Sequence, residues 1–314
     1  MRIWNKISSY LHLQGNIVHS VNGYSQVLKG QVINDICFRL KYENLTSKAL
    51  SETKSGVSEE KLGKDEIIVS LTTHGKRLYD THVAIESIMQ GSVKPNRIIL
   101  WLSEDYRKTI LPLTLQRQMG RGLEIKYCKD IRSYTKLVHA LKEFPAASII
   151  TIDDDIIYPH DTIEGLVCAH KECPDCICAN WIRQYPDNLG KEYVSLLTWP
   201  QIFAGNEVSD RYFFEGFAGV LYPPSSLDAE VLNEAVFLDI CKFADDVWFN
   251  AMALKADTKV KYAWRHYSLA SFFLNEDGQG VALQNVNNHG ELLNDKQLKA
   301  VFGKYGLWAK LGEP

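Results

Sequence analysis

No stretch of this 314-residue chain approaches the roughly 18–20 consecutive apolar residues needed to cross a bilayer. Residues 1–13 carry Arg2 and Lys6 but lack the unbroken apolar segment of a secretory leader, so a cytoplasmic protein is expected. A basic excess is missing too. Lys and Arg number 35 against 38 Asp and Glu, a net charge of −3, which speaks against nucleic acid as a partner. There is no internal repeat and no low-complexity tract. Cysteine is odd in number, at seven, and without a leader the thiols are expected to be reduced. What remains is a globular balance of 46% hydrophobic and 23% charged residues, which excludes a disordered or fibrous chain.

Two local features invite special readings. Ile3, Trp4, Ile7, Tyr10 and Leu11 fall at helical spacing. Such a stripe ordinarily packs on its own domain, and the other reading is a peripheral contact with the inner face of the cell membrane. Cys168, His170, Cys173, Cys176 and Cys178 cluster, but no second knuckle follows. Buried small hydrophobes are expected there, in preference to structural zinc.

Residues 51–65 are polar and charged with two glycines, and read as a linker. They end an N-terminal helical extension, 1–65, ahead of a catalytic domain, 66–314. From Glu66 the texture changes. Ile67–Leu71, Arg97–Leu102, Leu123–Tyr127 and Ser148–Ile152 are short apolar runs suited to buried strands. Helices are expected at Thr81–Met89 and Tyr134–Phe144, after Asp161 as cap, and over Ala244–Leu254. Another strand is expected over Cys176–Asn180. A last helix, capped by Asn294, carries Leu298, Val301, Phe302 and Tyr305 on one face and ends at Gly306. Alternating strands and helices imply an α/β fold, a mostly parallel sheet flanked by helices.

Asp153, Asp154 and Asp155 follow directly on the fourth apolar run. In parallel α/β sheets ligands bind at the carboxyl ends of strands. Three adjacent aspartates repel one another unless a positive charge lies among them. Mg²⁺ and Mn²⁺ take carboxylate oxygens and bridge to phosphates. The apolar continuation, Ile156-Ile157-Tyr158-Pro159, distinguishes the triplet from a solvated acidic turn.

The run Ile149–Pro159 resembles the DxD segment of bacterial glycosyltransferases related to family 2. Other segments agree in order: Ser70-Leu71-Thr72-Thr73 with Arg77, Tyr134–Leu137, Gly216–Pro223, Ala244–Phe249 and Asn294–Gln297. The resemblance spans about residues 66–305 and rests on the ordered set, because each short motif is weak alone. It implies a GT-A-like domain that moves a sugar from a nucleoside diphosphate, a UDP-sugar by analogy, to a hydroxyl of a glycan or lipid-linked acceptor. The implied setting is surface polysaccharide or lipopolysaccharide assembly, and the implied stereochemistry is inverting.

By the same resemblance Asp155 is the metal ligand and Asp153 a ribose or second metal contact, with Asp154 orienting either. Thr72 closes the base pocket, while Arg77 and Lys136 meet base or phosphates. Asp246, beside Asp245, is the expected general base for the acceptor hydroxyl; helix capping is the alternative role for that pair. Gly216 and Gly219 let backbone approach the sugar closely. His289 or His266 is the available third metal ligand, neither matching a fixed family position. Trp181, Tyr185, Trp199, Phe213 and Phe214 suit sugar stacking but are expected mostly in the core. Two other classes compete. An aspartate-nucleophile phosphatase also places acids after a parallel strand, though Ile157 occupies a position where Thr or Val is expected. A non-catalytic carbohydrate-binding protein would need neither Asp155 nor Asp246.

Overall fold

The computed structural model describes residues 33, 35–187, 189, 195–263, 265, 267–268, 271–274 and 293–311. The amphipathic stripe of residues 1–13 lies outside them. The chain divides into two units, 1–44 and 45–314. In the smaller unit, residues 33 and 35–44 are helical.

The larger unit opens with helical residues 45–51 (α1), where Leu45 and Ala49 are buried. It begins some twenty residues before the expected boundary at 65/66, because the polar stretch is stitched to the body. Gly56 N donates to Arg121 O at 2.8 Å and Ser58 N to Pro95 O at 2.9 Å, while Arg121 Nε reaches Lys54 O at 2.8 Å. Polar composition reports solvent-facing side chains and says nothing of where the backbone bonds go.

The alternation then follows as β1 (Ile67–Thr72), α2 (Thr81–Met89), β2 (Arg97–Ser103), α3 (Leu113–Met119), β3 (Leu123–Cys128), α4 (Thr135–Glu143) and β4 (Ser148–Thr151). The middle of the chain holds β5 (Ile156–Ile157), α5 (Thr162–Glu172), β6 (Ile177–Ala179), β7 (Ile182–Gln184), β8 (Gln201–Ile202), β9 (Val208–Ser209), β10 (Tyr212–Phe214) and β11 (Val220–Tyr222). After these come α6 (Glu234–Ile240), α7 (Asp245–Lys255), β12 (Val260–Tyr262), β13 (Phe273–Leu274) and α8 (Leu293–Tyr305).

Eight strands form one sheet in the order β3-β2-β1-β4-β11-β6-β12-β9. Six run one way; β11 and β9 run against them. A three-stranded sheet β10-β7-β8 and a β13-β5 pair complete the described strands. The period-two alternation of the strands sends Ile68, Ile99 and Ile149 into a core shared with α4, α7 and α8. The opposite face sends Val69, Leu71, Leu100 and Ile150 against α2 and α5. Trp181, Tyr185, Trp199, Phe213 and Phe214 are all buried.

Three local expectations fail for identifiable reasons. Asp161 stands at the N-cap of α5, but its carboxylate accepts the Tyr267 hydroxyl at 2.7 Å and makes no cap bond. Asn294 is the second residue of α8, not its cap, although Gly306 does end the helix at φ +62°. Cys173 and Cys176 are joined in a disulfide where reduced thiols were expected. The chain turns there, with Cys176 N donating to Cys173 O at 3.1 Å, and the two Cα atoms lie 5.4 Å apart. Cys178 is buried as expected, whereas Cys168 is exposed. Among the described residues no helix is long and apolar enough to cross a membrane.

Beneath α2 lies a polar knot. Arg121 Nη1 meets Glu86 at 2.8 Å, Gln118 donates to the same carboxylate at 2.9 Å, and Glu86 is fully buried. Removing one partner of a buried pair leaves an uncompensated charge and costs about 3–5 kcal/mol. Arg121→Ala should therefore lower unfolding free energy by that order in urea melts. Arg121→Met with Glu86→Leu, which leaves no buried charge, should recover most of the loss.

Candidate active site

The order β3-β2-β1-β4 means that the chain builds outward from β1, then crosses back to lay β4 on its other side. Strand order reverses between β1 and β4, and a crevice outside their carboxyl ends is where open α/β sheets take ligands. The two ends are registered there: Ser70 stands opposite Thr151, and Ile152 N donates to Ser70 O at 3.2 Å. Asp153–Asp155 leave β4 at this point, and Thr73 leaves β1.

The three aspartates have different environments. Asp154 points inward, accepting Thr73 Oγ1 at 2.5 Å and Arg77 Nη1 at 3.1 Å. Burial raises its pKa against the pull of Arg77 and Thr73. Asp155 pairs with Arg77 Nη2 at 3.1 Å. Burial, and then repulsion from Asp153, push its pKa up to about 6 despite Arg77. Asp153 is the most open of the three and pairs with Lys136 Nζ at 2.7 Å. Its backbone N–H donates to the Tyr158 hydroxyl at 2.8 Å, and that hydroxyl donates onward to Phe217 O at 2.8 Å.

Lys136 lies in the first turn of α4. Its main-chain oxygen accepts the Ser70 hydroxyl, which fixes the helix start over β1. Its buried ammonium also faces Asp245 Oδ2 at 3.2 Å. Burial works against the charge, yet Asp153, Asp245 and Asp246 hold its pKa well above the ordinary lysine value. The expected phosphate contact thus sits as a strut between the end of β4 and the start of α7.

Asp245 and Asp246 open α7. Both oxygens of Asp246 lie 3.1 Å from Gly216 N, which donates to them. Burial first, and Asp245 second, raise the Asp246 pKa to about 8, with Lys136 opposing. A Cβ on Gly216 would stand 2.6 Å from Asp246 Oδ1, so any side chain there would displace the carboxylate. Asn250, one turn along α7, bonds both Phe214 N at 3.0 Å and Phe214 O at 2.9 Å and so ties β10 to the helix.

Asp154 and Asp155 with Arg77, Asp153 and Asp245 with Lys136, and Asp246 with Gly216 therefore form a network of three contact groups joined through adjacent aspartates. Thr72 stands at the strand end, but its hydroxyl donates across to Trp101 O at 3.0 Å. Gly219 is set back against Asn180 at φ +95°, a backbone that favours glycine. His266 and His289 lie outside the described residues. Thr73, Tyr158 and Ser70 were not foreseen. Thr73 sat in the motif already noted, whereas nothing in an apolar run announces that the Tyr158 hydroxyl folds back onto Asp153.

Five carboxylates face two cations in this network. Among the described residues no three His, Cys, Asp or Glu side chains converge as a metal cage. Asp153 and Asp155 repel one another, and carboxylate oxygens are the donor type that hard cations such as Mg²⁺ take.

No family model matches the sequence, and no curated protein matches it. Solved structures with partial likeness include the inositol-1-phosphate CTP transferase from T. maritima, at TM-score 0.38 and 10% identity over 72% of this chain and 98% of that one. A UTP-bound UGPase from Acinetobacter baumannii gives TM-score 0.39 and 9% identity over 74% and 96%. A CMP:2-keto-3-deoxy-manno-octonic acid synthetase complexed with CTP gives 0.38 and 10% over 64% and 89%. Scores at this level carry no argument about the activity of this chain.

The raised Asp246 pKa fixes the sign of a pH dependence. Between about 4, the unfolded value, and about 8, the folded chain holds a proton that the unfolded chain has lost. Stability from this group is full below the unfolded pKa and falls as pH rises through the folded one. Asp246→Asn keeps an acceptor for Gly216 N and removes the titration. Its melting temperature relative to wild type should climb steadily from pH 5 to pH 8 in metal-free buffer.

Proposed function

We propose that this chain is a divalent-cation-dependent glycosyltransferase, acting on a nucleoside-diphosphate sugar and a hydroxyl acceptor. The observation that carries the reading is the pairing, at one sheet switch point, of the Asp153–Asp155 corner with a partly buried Asp246 whose pKa is raised to about 8. A leaving-group site and a base site are what displacement at an anomeric carbon requires.

Asp153 and Asp155 would hold Mn²⁺ or Mg²⁺, which when bound neutralises charge on the departing diphosphate. Arg77, already bridging Asp154 and Asp155 at 3.1 Å each, adds a fixed guanidinium beside the phosphates. Lys136 holds the two halves of the site at fixed separation. Asp246 takes the acceptor proton as the acceptor oxygen bonds to the anomeric carbon. The bond from that carbon to the diphosphate breaks, and nucleoside diphosphate leaves with the electron pair. A base with pKa near 8 is well matched to this task near neutral pH. Gly216 N keeps the Asp246 carboxylate in place through the transfer. Uridine as the nucleoside, and a glycan or lipid-linked acceptor, follow from the family resemblance.

Thermal shift tests the donor half. UDP with Mn²⁺ should raise the melting temperature, and UDP alone should do so much less. Asp155→Ala should abolish the metal-dependent part. A shift that ignores Mn²⁺, or survives Asp155→Ala, would remove the metal assignment. For the base, kcat/KM should rise with pH through an inflection near 8 and level off above it. In Asp246→Asn, turnover should fall by about 10²–10⁴-fold, the usual contribution of general base catalysis, with UDP binding retained.

A further inference from the structure

Five aromatic rings run from the acidic corner to the surface. Tyr158, bonded to Asp153 N, lies edge-on to Phe272 at 6.2 Å; Phe272 meets Phe217 at 5.6 Å; Phe217 meets Trp181 at 5.3 Å; and Trp181 meets Phe203 at 6.1 Å. The inner members are buried: Tyr158 is 4% exposed, Phe272 5% and Trp181 3%. The outer end is not, for Phe203 is 60% exposed. Packing explains the inner rings, while the last one joins an exposed aromatic face to them. Phe203 is the only phenylalanine or tryptophan strongly exposed among the described residues.

Its position bears directly on the site. Phe217 is partly buried and follows Gly216, whose N–H holds Asp246. The residue before Gly216 is Glu215, paired with Arg183 Nε at 2.8 Å, and both are partly exposed. Arg183 stands opposite Gln201, two residues before Phe203, with Nη1 donating to Trp199 O at 3.0 Å, and Glu215 N donates to Trp181 O at 3.1 Å. An aromatic face with a guanidinium–carboxylate pair on adjoining segments is chemically matched to one ligand class. A pyranose presents apolar C–H groups on one face and hydroxyls around its rim. The ring face excludes water from the C–H groups, while Arg183 and Glu215 offer both donors and acceptors to hydroxyls.

We propose that Phe203, backed by Trp181 and Phe217, is a stacking subsite for the sugar ring of the acceptor, on the Gly216 side of Asp246. The assignment of that sugar as acceptor rests on the glycosyltransferase reading; the presence of a pyranose subsite does not. It would orient the ring so that a hydroxyl reaches Asp246, and it would leave the nucleotide corner untouched.

The test uses the full chain without nucleotide. Methyl β-D-glucopyranoside, methyl β-D-galactopyranoside and methyl α-D-mannopyranoside are screened by saturation-transfer NMR with irradiation of the aromatic protons. At least one should receive saturation on its ring C–H protons in wild type. Phe203→Ala should weaken that binding by about tenfold, and Phe203→Trp should retain it. In parallel, UDP and Mn²⁺ thermal shifts should be the same in all three proteins. Glycoside binding lost in Phe203→Ala with the UDP shift intact supports the subsite. Glycoside binding at Phe203 with no UDP shift in any protein supports the subsite while overturning the glycosyltransferase reading. No transfer to any glycoside, or equal transfer in Phe203→Ala, overturns the subsite whatever UDP does.

Discussion

The buried ammonium of Lys136 is the contact on which the rest of the site depends. It sits on the first turn of α4, reaches Asp153 on the loop leaving β4, and faces Asp245 at the head of α7. These segments are far apart in sequence and would otherwise carry only like charges toward one another. A cation of fixed charge among carboxylates is worth more here than at the surface, because little solvent screens it. Its loss would leave Asp153 and Asp245 facing each other unpaired, a cost that buried pairs incur when broken. The lysine therefore holds the proposed diphosphate corner and the proposed base at one separation.

The same constraint divides labour among neighbouring aspartates. Asp154 spends both oxygens on Thr73 and Arg77, so it anchors the turn. Asp153 pairs with Lys136 and Asp155 with Arg77, yet Asp155 is still raised by burial and by Asp153, and Asp246 holds its proton well above the usual carboxylate range. Each departure from ordinary carboxylate behaviour has burial as its first cause. Sites that perform acid–base chemistry commonly show this separation of roles among like groups.

Much of the fold was legible because buried strands are written as apolar runs. Thr81–Met89 was read with the bounds that the structure gives, and β1 to β4 within a residue or so at each end. α3 and α6 went unread: each is seven residues long, with only Leu115 and Gln118, or Phe237 alone, buried, too little for a helical period to register. The antiparallel direction of β11 was hidden as well, since direction is set by the connection and not by the strand's own residues. In the site, residues clustered in motifs were foreseen. Those that act by hydrogen-bonding the backbone of another segment, such as Tyr158 and Asn250, were not. The disulfide was missed because two cysteines at the end of a helix look the same whether bonded or free.

One oxygen atom links the two halves of the crevice. The Tyr158 hydroxyl is acceptor to the main chain of Asp153 and donor to the main chain of Phe217. A displacement of the glycine loop must either pull the acidic loop with it or break a hydrogen bond. The acidic loop and the loop that carries Gly216 are therefore coupled, and whatever shifts one is felt equally by the other through a single phenol.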